Sequence, residues 1–314
     1  MREVCLDLTE SRGLGDTICA TPTLRKLYKS YEKKIAVLTN HPIIFKHNPF
    51  VSELWSTENC NRESLESRYE MLKSFLPNVE NLYGVSLRHN QFDIRQFHAV
   101  GLGFQLLQEE MEMDFIPDKF LEIENLPKDF IVIHPVQTWA SRTWSQDKWI
   151  LLTSLLNDAG ISVVSVGKNS SEVGNSNVQK PVFDFQINLG LNLLNKANIS
   201  QTWWLMQKSL GVVTMDSGML HLAGTTDANI FQLGSSVNFK LRAPYRKGRQ
   251  NYKYHYISGE CELACASDMK YGVKYWDTIR GIPSLVGCLE NKSDFMCHPN
   301  VSQVFKKIIE IVKI

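Results

Sequence analysis

The stretch that decides the fold lies at the N-terminus: Arg2-Glu3-Val4-Cys5-Leu6-Asp7-Leu8-Thr9-Glu10-Ser11-Arg12-Gly13-Leu14-Gly15-Asp16. Val4, Leu6 and Leu8 alternate with Cys5 and Asp7, the two-residue period of a strand, so residues 2–8 are expected to be extended. Ser11 to Asp16 supply the turn. Residues 17–30 then place Leu24, Leu27 and Tyr28 on one helical face, with Pro22 in the first turn, where proline is tolerated. Ile35-Ala36-Val37-Leu38 is a short buried strand. Strand, loop, helix and strand in that order make the unit of a parallel sheet.

Outward from this unit the pattern weakens and then returns. Residues 41–116 suggest helical pieces near 63–76 and 95–113. Residues 117–129 begin and nearly end with proline (Pro117, Pro127) and are rich in charge, as a linker would be. A second α/β series follows. Phe130–His134 is a strand, Ser145 can cap a helix to Ala159 that stops at Gly160, and Ile161–Val166 is a strand. Residues 200–210 form a helix, residues 211–215 a strand, and residues 229–233 another strand. The last segment, 301–314, is amphipathic. The expectation is an α/β protein of two domains, residues 1–127 and 128–300, with a terminal helix at 301–314. Ligands of open parallel sheets sit beyond the carboxyl ends of the strands, so the loops there should line a cleft.

Composition excludes several classes. Of 314 residues, 43% are hydrophobic and 21% charged, which suits an ordinary soluble core. A net charge of +1 argues against a surface that is wholly a nucleic-acid footprint, so nucleic acid is not expected as a partner. No apolar run approaches the roughly 20 residues of a membrane span. Met1-Arg2-Glu3-Val4 lacks the apolar run of a signal peptide, and a cytoplasmic location is expected.

Three loops can carry chemistry. In Gly13-Leu14-Gly15-Asp16 the glycines permit a sharp turn and close approach to a ligand. Asp16 then stands at a helix start, either as a cap or as a functional carboxylate. His134-Pro135-Val136-Gln137-Thr138-Trp139-Ala140-Ser141-Arg142-Thr143-Trp144 joins a strand to a helix and offers hydroxyls, a guanidinium and helix amides. It reads as a pyrophosphate site or as a surface loop with an exposed arginine. Asp216-Ser217-Gly218-Met219-Leu220-His221 again runs from strand to helix start, an anion-receptive arrangement, with His221 in support.

Taken together these loops resemble glycosyltransferase family 9, the heptosyltransferase family. Gly15-Asp16 with Thr21-Pro22-Thr23-Leu24-Arg25 is similar to its N-terminal motif. Arg142-Thr143-Trp144 is similar to its phosphate-contacting segment, and Asp216-Ser217-Gly218 with His221-Leu222-Ala223 to its donor-site signature. The resemblance implies a GT-B fold of two Rossmann-like domains and metal-independent, inverting transfer, typically from ADP-heptose, to a saccharide or protein hydroxyl. It implies Asp16 as general base. It implies Thr138, Arg142, Asp216, Ser217, Gly218 and His221 as the donor site.

Two features stand beside this. Residues 240–256 carry Lys240, Arg242, Arg246, Lys247, Arg249 and Lys253 with interleaved tyrosines and no acid, either a solvated loop or a grip on an anionic acceptor. Cys261, Cys265, Cys288 and Cys297 supply four thiolates, enough for a structural Zn²⁺ or iron site, or else stand as free thiols or one disulfide. They resemble the four-cysteine metal site of heptosyltransferases that modify bacterial autotransporters, at a different spacing. The competing readings are a sugar-nucleotide epimerase on the same scaffold and a non-catalytic module that binds nucleotide-sugar or nucleic acid.

Overall fold

A computed structural model describes residues 3–11, 13–74, 92–120, 122–135, 140–168, 190–246, 253–265, 267, 288 and 295–312. The chain divides into two compact units, Met1–Ile116 with Pro244–Arg249, and Pro117–Ala243 with Gln250–Ile314.

The first unit is built on strands β1 (Glu3–Leu8), β2 (Ile35–Thr39), β3 (Val51–Ser56) and β4 (Tyr69–Lys73). They form one parallel sheet in the order β3-β2-β1-β4. β1 and β2 are buried on both faces, which is why their sequences are almost continuously apolar. One face packs Cys5, Ala36 and Leu38 against Leu65 and Tyr69. Helix α1 (Leu14–Cys19) follows β1, and α2 (Thr21–Tyr31) leads to β2. Helices α3 (Arg62–Arg68) and α4 (Ile94–Val100) complete the described helices of this unit.

The second unit carries β5 (Phe130–His134), β6 (Ser162–Ser165), β7 (Leu191–Asn192), β8 (Gly211–Thr214), β9 (Ile230–Leu233) and β10 (Tyr254–Ile257). They form a six-stranded parallel sheet in the order β10-β9-β8-β5-β6-β7. Helices α5 (Gln146–Asp158), α6 (Ile199–Lys208), α7 (Gly218–Gly224) and α8 (Val301–Val312) belong to this unit. Ile131, Ile133, Val213 and Phe231 of the sheet pack with Trp149, Leu152, Val304 and Ile308 of α5 and α8 in one core. Residues 118–120 are bound to α6: Trp204 Nε1 donates to the Asp118 carbonyl at 2.9 Å and the Asp118 amide to Ser200 Oγ at 3.0 Å.

Several local expectations need correction. The helix expected over 17–30 is two helices that break at Ala20. Pro22 has no N–H to give Ile18, four residues back, and the Thr21 hydroxyl bonds that carbonyl instead at 2.8 Å. The helix expected over 63–76 ends at Arg68, because residues 69–73 pair with β1 from Glu3↔Tyr69 to Asp7↔Lys73. The helix expected over 95–113 ends at Val100, where Gly101 leaves the helix against the Ser74 carbonyl and Gly103 turns with φ of 83°.

Candidate active site

Asp16 sits in the first turn of α1, three residues beyond the N-cap residue, Gly13. It is therefore not the cap itself. The turn is closed by Gly13, whose carbonyl accepts from the Thr17 amide at 3.1 Å and the Thr17 hydroxyl at 3.2 Å. Asp16 is partly buried, and its carboxylate folds back over Gly13. A Cβ added at Gly13 would lie 2.8 Å from Asp16 Oδ2. The glycine thus makes the space this carboxylate occupies.

In the second unit, β5 and β8 are neighbours, with His134 opposite Thr214. This register brings the loops after the two strands together. Ser217 is the N-cap of α7 and accepts from the Met219 amide at 3.2 Å. The same hydroxyl lies 3.1 Å from Thr214 Oγ1 and 3.3 Å from His134 Nδ1. Burial pushes His134 down to a pKa of about 4, so it is neutral at physiological pH. His221 is buried on α7.

Asp216 carries the electrostatics of this loop. It is 2% exposed, and Arg142 Nε approaches its Oδ2 at 3.3 Å. Arg242 Nε approaches the same oxygen at 3.7 Å, and its guanidinium is 1% exposed. One carboxylate thus faces two guanidiniums that stay charged at any working pH. Guanidiniums placed at the ends of adjacent parallel strands are suited to meet an anion. The structure brings together Arg142, Asp216, Ser217 and Gly218, with His221 on the helix they start. Thr138 lies outside the described residues.

Arg242 was not anticipated as a site residue. It sits in the basic stretch 240–256, two of whose arginines are buried while Lys240 is exposed. Arg242 and Arg246 are each 2% exposed, and residues 254–257 are strand β10. Tyr254 bonds Gln232 through its hydroxyl at 2.7 Å, and Tyr256 stacks on Phe239 at 4.1 Å. These two tyrosines are engaged in packing.

The four late cysteines share one neighbourhood. Cys297 is buried, and burial, followed by Cys265, Cys261 and Cys288 nearby, pushes its thiol up to about 12. The Cys261 amide donates to the Met296 carbonyl at 3.1 Å, which aligns the two cysteine-bearing segments. Among the described residues, no three His, Cys, Asp or Glu side chains stand close enough to hold one metal ion. None of the seven cysteines forms a disulfide. Among the described residues no helix is long and apolar enough to cross a membrane.

The sequence profile of Glycosyltransferase family 9 (heptosyltransferase) matches residues 76–257. That span contains Arg142, Asp216, Ser217, Gly218, His221 and Arg242, and Asp16 precedes it. Comparison with curated proteins gives no match. Among solved structures, a family 9 glycosyl transferase from Veillonella parvula is 14% identical with a TM-score of 0.64, covering 99% of this chain and 97% of its own. TibC, an iron-containing dodecameric glycosyltransferase from enterotoxigenic E. coli, is 12% identical with a TM-score of 0.66 over 99% of this chain and 76% of its own. The E. coli heptosyltransferase WaaC with ADP is 13% identical with a TM-score of 0.52 over 88% of this chain and 99% of its own. At these identities the likeness shows the fold, which is GT-B.

Proposed function

Because this chain belongs to glycosyltransferase family 9, whose profile matches more than half of it, we propose that it transfers heptose from ADP-heptose, with inversion, to a hydroxyl of a saccharide or protein. The observation that carries the donor side is Asp216 between Arg142 and Arg242, two guanidiniums at the end of neighbouring strands suited to a diphosphate. A TibC structure described as in complex with ADP-D-β-D-heptose supports the choice of donor.

In this reading Asp16 removes the proton of the acceptor hydroxyl. The acceptor oxygen bonds to the anomeric carbon as the bond from that carbon to the diphosphate breaks. ADP leaves with the bonding pair, and Arg142, Thr138 and the amides of Ser217 and Gly218 receive its charge. Donors fixed in advance toward developing charge are commonly the largest contribution to such a rate. Residues 1–127 serve the acceptor and residues 128–300 the nucleotide sugar. The seven cysteines, none in a disulfide, suit the cytoplasm.

A structural Zn²⁺ or iron held by Cys261, Cys265, Cys288 and Cys297 belongs to the same reading. Its support is the four thiols in the last quarter of the sequence and the iron content of TibC. Four protein ligands would leave no position for substrate, so the metal takes no part in transfer.

The test is a thermal-shift screen of ADP-, UDP- and GDP-sugars, followed by turnover of Asp16→Ala. A cognate donor at 100 times its Kd stabilises by about 2.7 kcal/mol. ADP-heptose should shift the melting temperature of both proteins equally. Turnover should fall about 100- to 10,000-fold in the variant. Full activity in Asp16→Ala removes the base assignment, and the absence of any shift favours a non-catalytic module of another specificity.

A further inference from the structure

Arg142 sits in a short 3-10 turn, Ala140–Arg142, a geometry with little stability of its own. Its position is therefore set from outside. Two hydrogen bonds hold the turn, one on each side of the arginine, and Asp216 meets its guanidinium. Before it, the Ser141 carbonyl accepts from His298 Nε2 at 2.9 Å. After it, Trp144 Nε1 donates to the Pro299 carbonyl at 2.9 Å. The partners are consecutive residues far along the chain.

That pair is itself firmly seated. His298 is 6% exposed, with its ring 4.9 Å from that of Phe295. The Gly259 amide donates to the Cys297 carbonyl at 2.9 Å. Gly234 and Gly259 face the carbonyls of Cys297, Met296 and His298 so closely that neither has room for a Cβ. Ser236, beyond β9, adds a bond from its hydroxyl to Ser141 Oγ at 2.9 Å. The segment 295–299 thus rests on the backbone of Gly234 and Gly259.

We propose that His298 is a positioning residue for sugar-nucleotide binding: by holding the Ser141 carbonyl it fixes the Arg142 guanidinium against the donor diphosphate. This rests on the donor-site reading above. An imidazole serves because Nε2–H reaches the carbonyl while the ring fills the space beside Phe295. A side-chain amide at position 298 can give the same bond.

The experiment measures ADP affinity by calorimetry and the kinetic constants of His298→Leu, His298→Gln, Trp144→Phe and Arg142→Ala. His298→Leu should weaken ADP binding and raise the donor KM roughly tenfold, the effect of one buried hydrogen bond. The acceptor KM should stay unchanged, and His298→Gln should restore most of the loss. Trp144→Phe, which keeps its ring on Trp149, should weaken ADP binding in the same direction and carries the test if the leucine variant does not fold. Equal ADP affinity in the leucine and glutamine variants, or wild-type affinity in Trp144→Phe, overturns the role of this segment. If Arg142→Ala also keeps ADP affinity, the donor-site reading has failed, and the inference with it. If only Arg142→Ala loses affinity, the donor reading stands and His298 has no positioning role.

Discussion

Arg142 Nε stands 3.3 Å from Asp216 Oδ2 with both side chains nearly excluded from solvent, and the residues come from loops after two adjacent parallel strands. The contact ties a cation before helix α5 to a carboxylate before helix α7. It fixes the guanidinium where the strand ends converge. Arg242 Nε approaches the same oxygen at 3.7 Å.

Asp216→Asn keeps the shape of the side chain and removes its charge. Two buried guanidiniums are then left without their shared anion, a change that costs about 3–5 kcal/mol when a buried pair is broken from one side. Urea unfolding should show a loss of this order. Added ADP should recover part of it by supplying negative charge, and an unchanged midpoint would contradict the arrangement.

Gly13→Ala is a local test of Asp16. Gly13 has φ of −91° and ψ of 142°, which alanine adopts freely, so the backbone tolerates the change. The new Cβ would fall 2.8 Å from Asp16 Oδ2 and push the carboxylate aside. Turnover should fall at least about tenfold, since an ångström of misplacement can cost about 100-fold. Donor affinity and melting temperature should hold. An unchanged kcat would show that this carboxylate position is not used.

His134 makes stability depend on pH. Its folded pKa of about 4 lies below the ordinary value near 6.5, so the unfolded chain takes up the proton first. The stabilisation is present above pH 6.5 and is lost as pH falls toward 4. Between pH 7.5 and pH 5 this one residue should remove about 2 kcal/mol. His134→Asn, compared with wild type by urea unfolding at both values, should flatten the dependence by that amount.

Cys297 should be slow to alkylate in metal-free protein at pH 8, because a thiol raised to about 12 carries almost no thiolate. Protein as purified should hold about one Zn or Fe per chain, and Cys297→Ser should lose most of it. Stoichiometric metal in the serine variant would remove Cys297 from the ligand set.

The legible parts of the sequence were those in which local pattern and long-range packing agree. β1 announces itself by alternation, and β5 and β8 by short apolar runs that end at chemically distinctive loops. β4 was hidden because Tyr69-Glu70-Met71 continues a helical stretch without a breaker, and only its pairing with β1 makes it extended. Arg242 was hidden because a cation in a basic stretch looks solvated. Its burial depends on Asp216, 26 residues earlier in sequence but opposite it in space. His298 carries no local motif, since its partner is a backbone carbonyl, and a carbonyl leaves no trace in the choice of residue.

The parallel sheets also govern how the chain reaches this state. Among the described strands every pairing is parallel, so none can begin as a hairpin between neighbours. β1 must wait for β2 at Cys5↔Ala36 and for β4 at Glu3↔Tyr69, and β5 must wait for β8 at Ile131↔Gly211. Such distant closures are entropically late and slow folding. On the ribosome, where N-terminal parts fold first, the four strands of the first unit are complete once Lys73 has emerged. The six-stranded sheet exposes β5 until Thr214 follows and lacks its edge until Ile257, and the helix that covers its core comes last. During synthesis the aggregation hazard therefore falls on the apolar run Phe130–His134, which can pair with β6 once Ser165 has emerged but keeps its other edge open until Thr214.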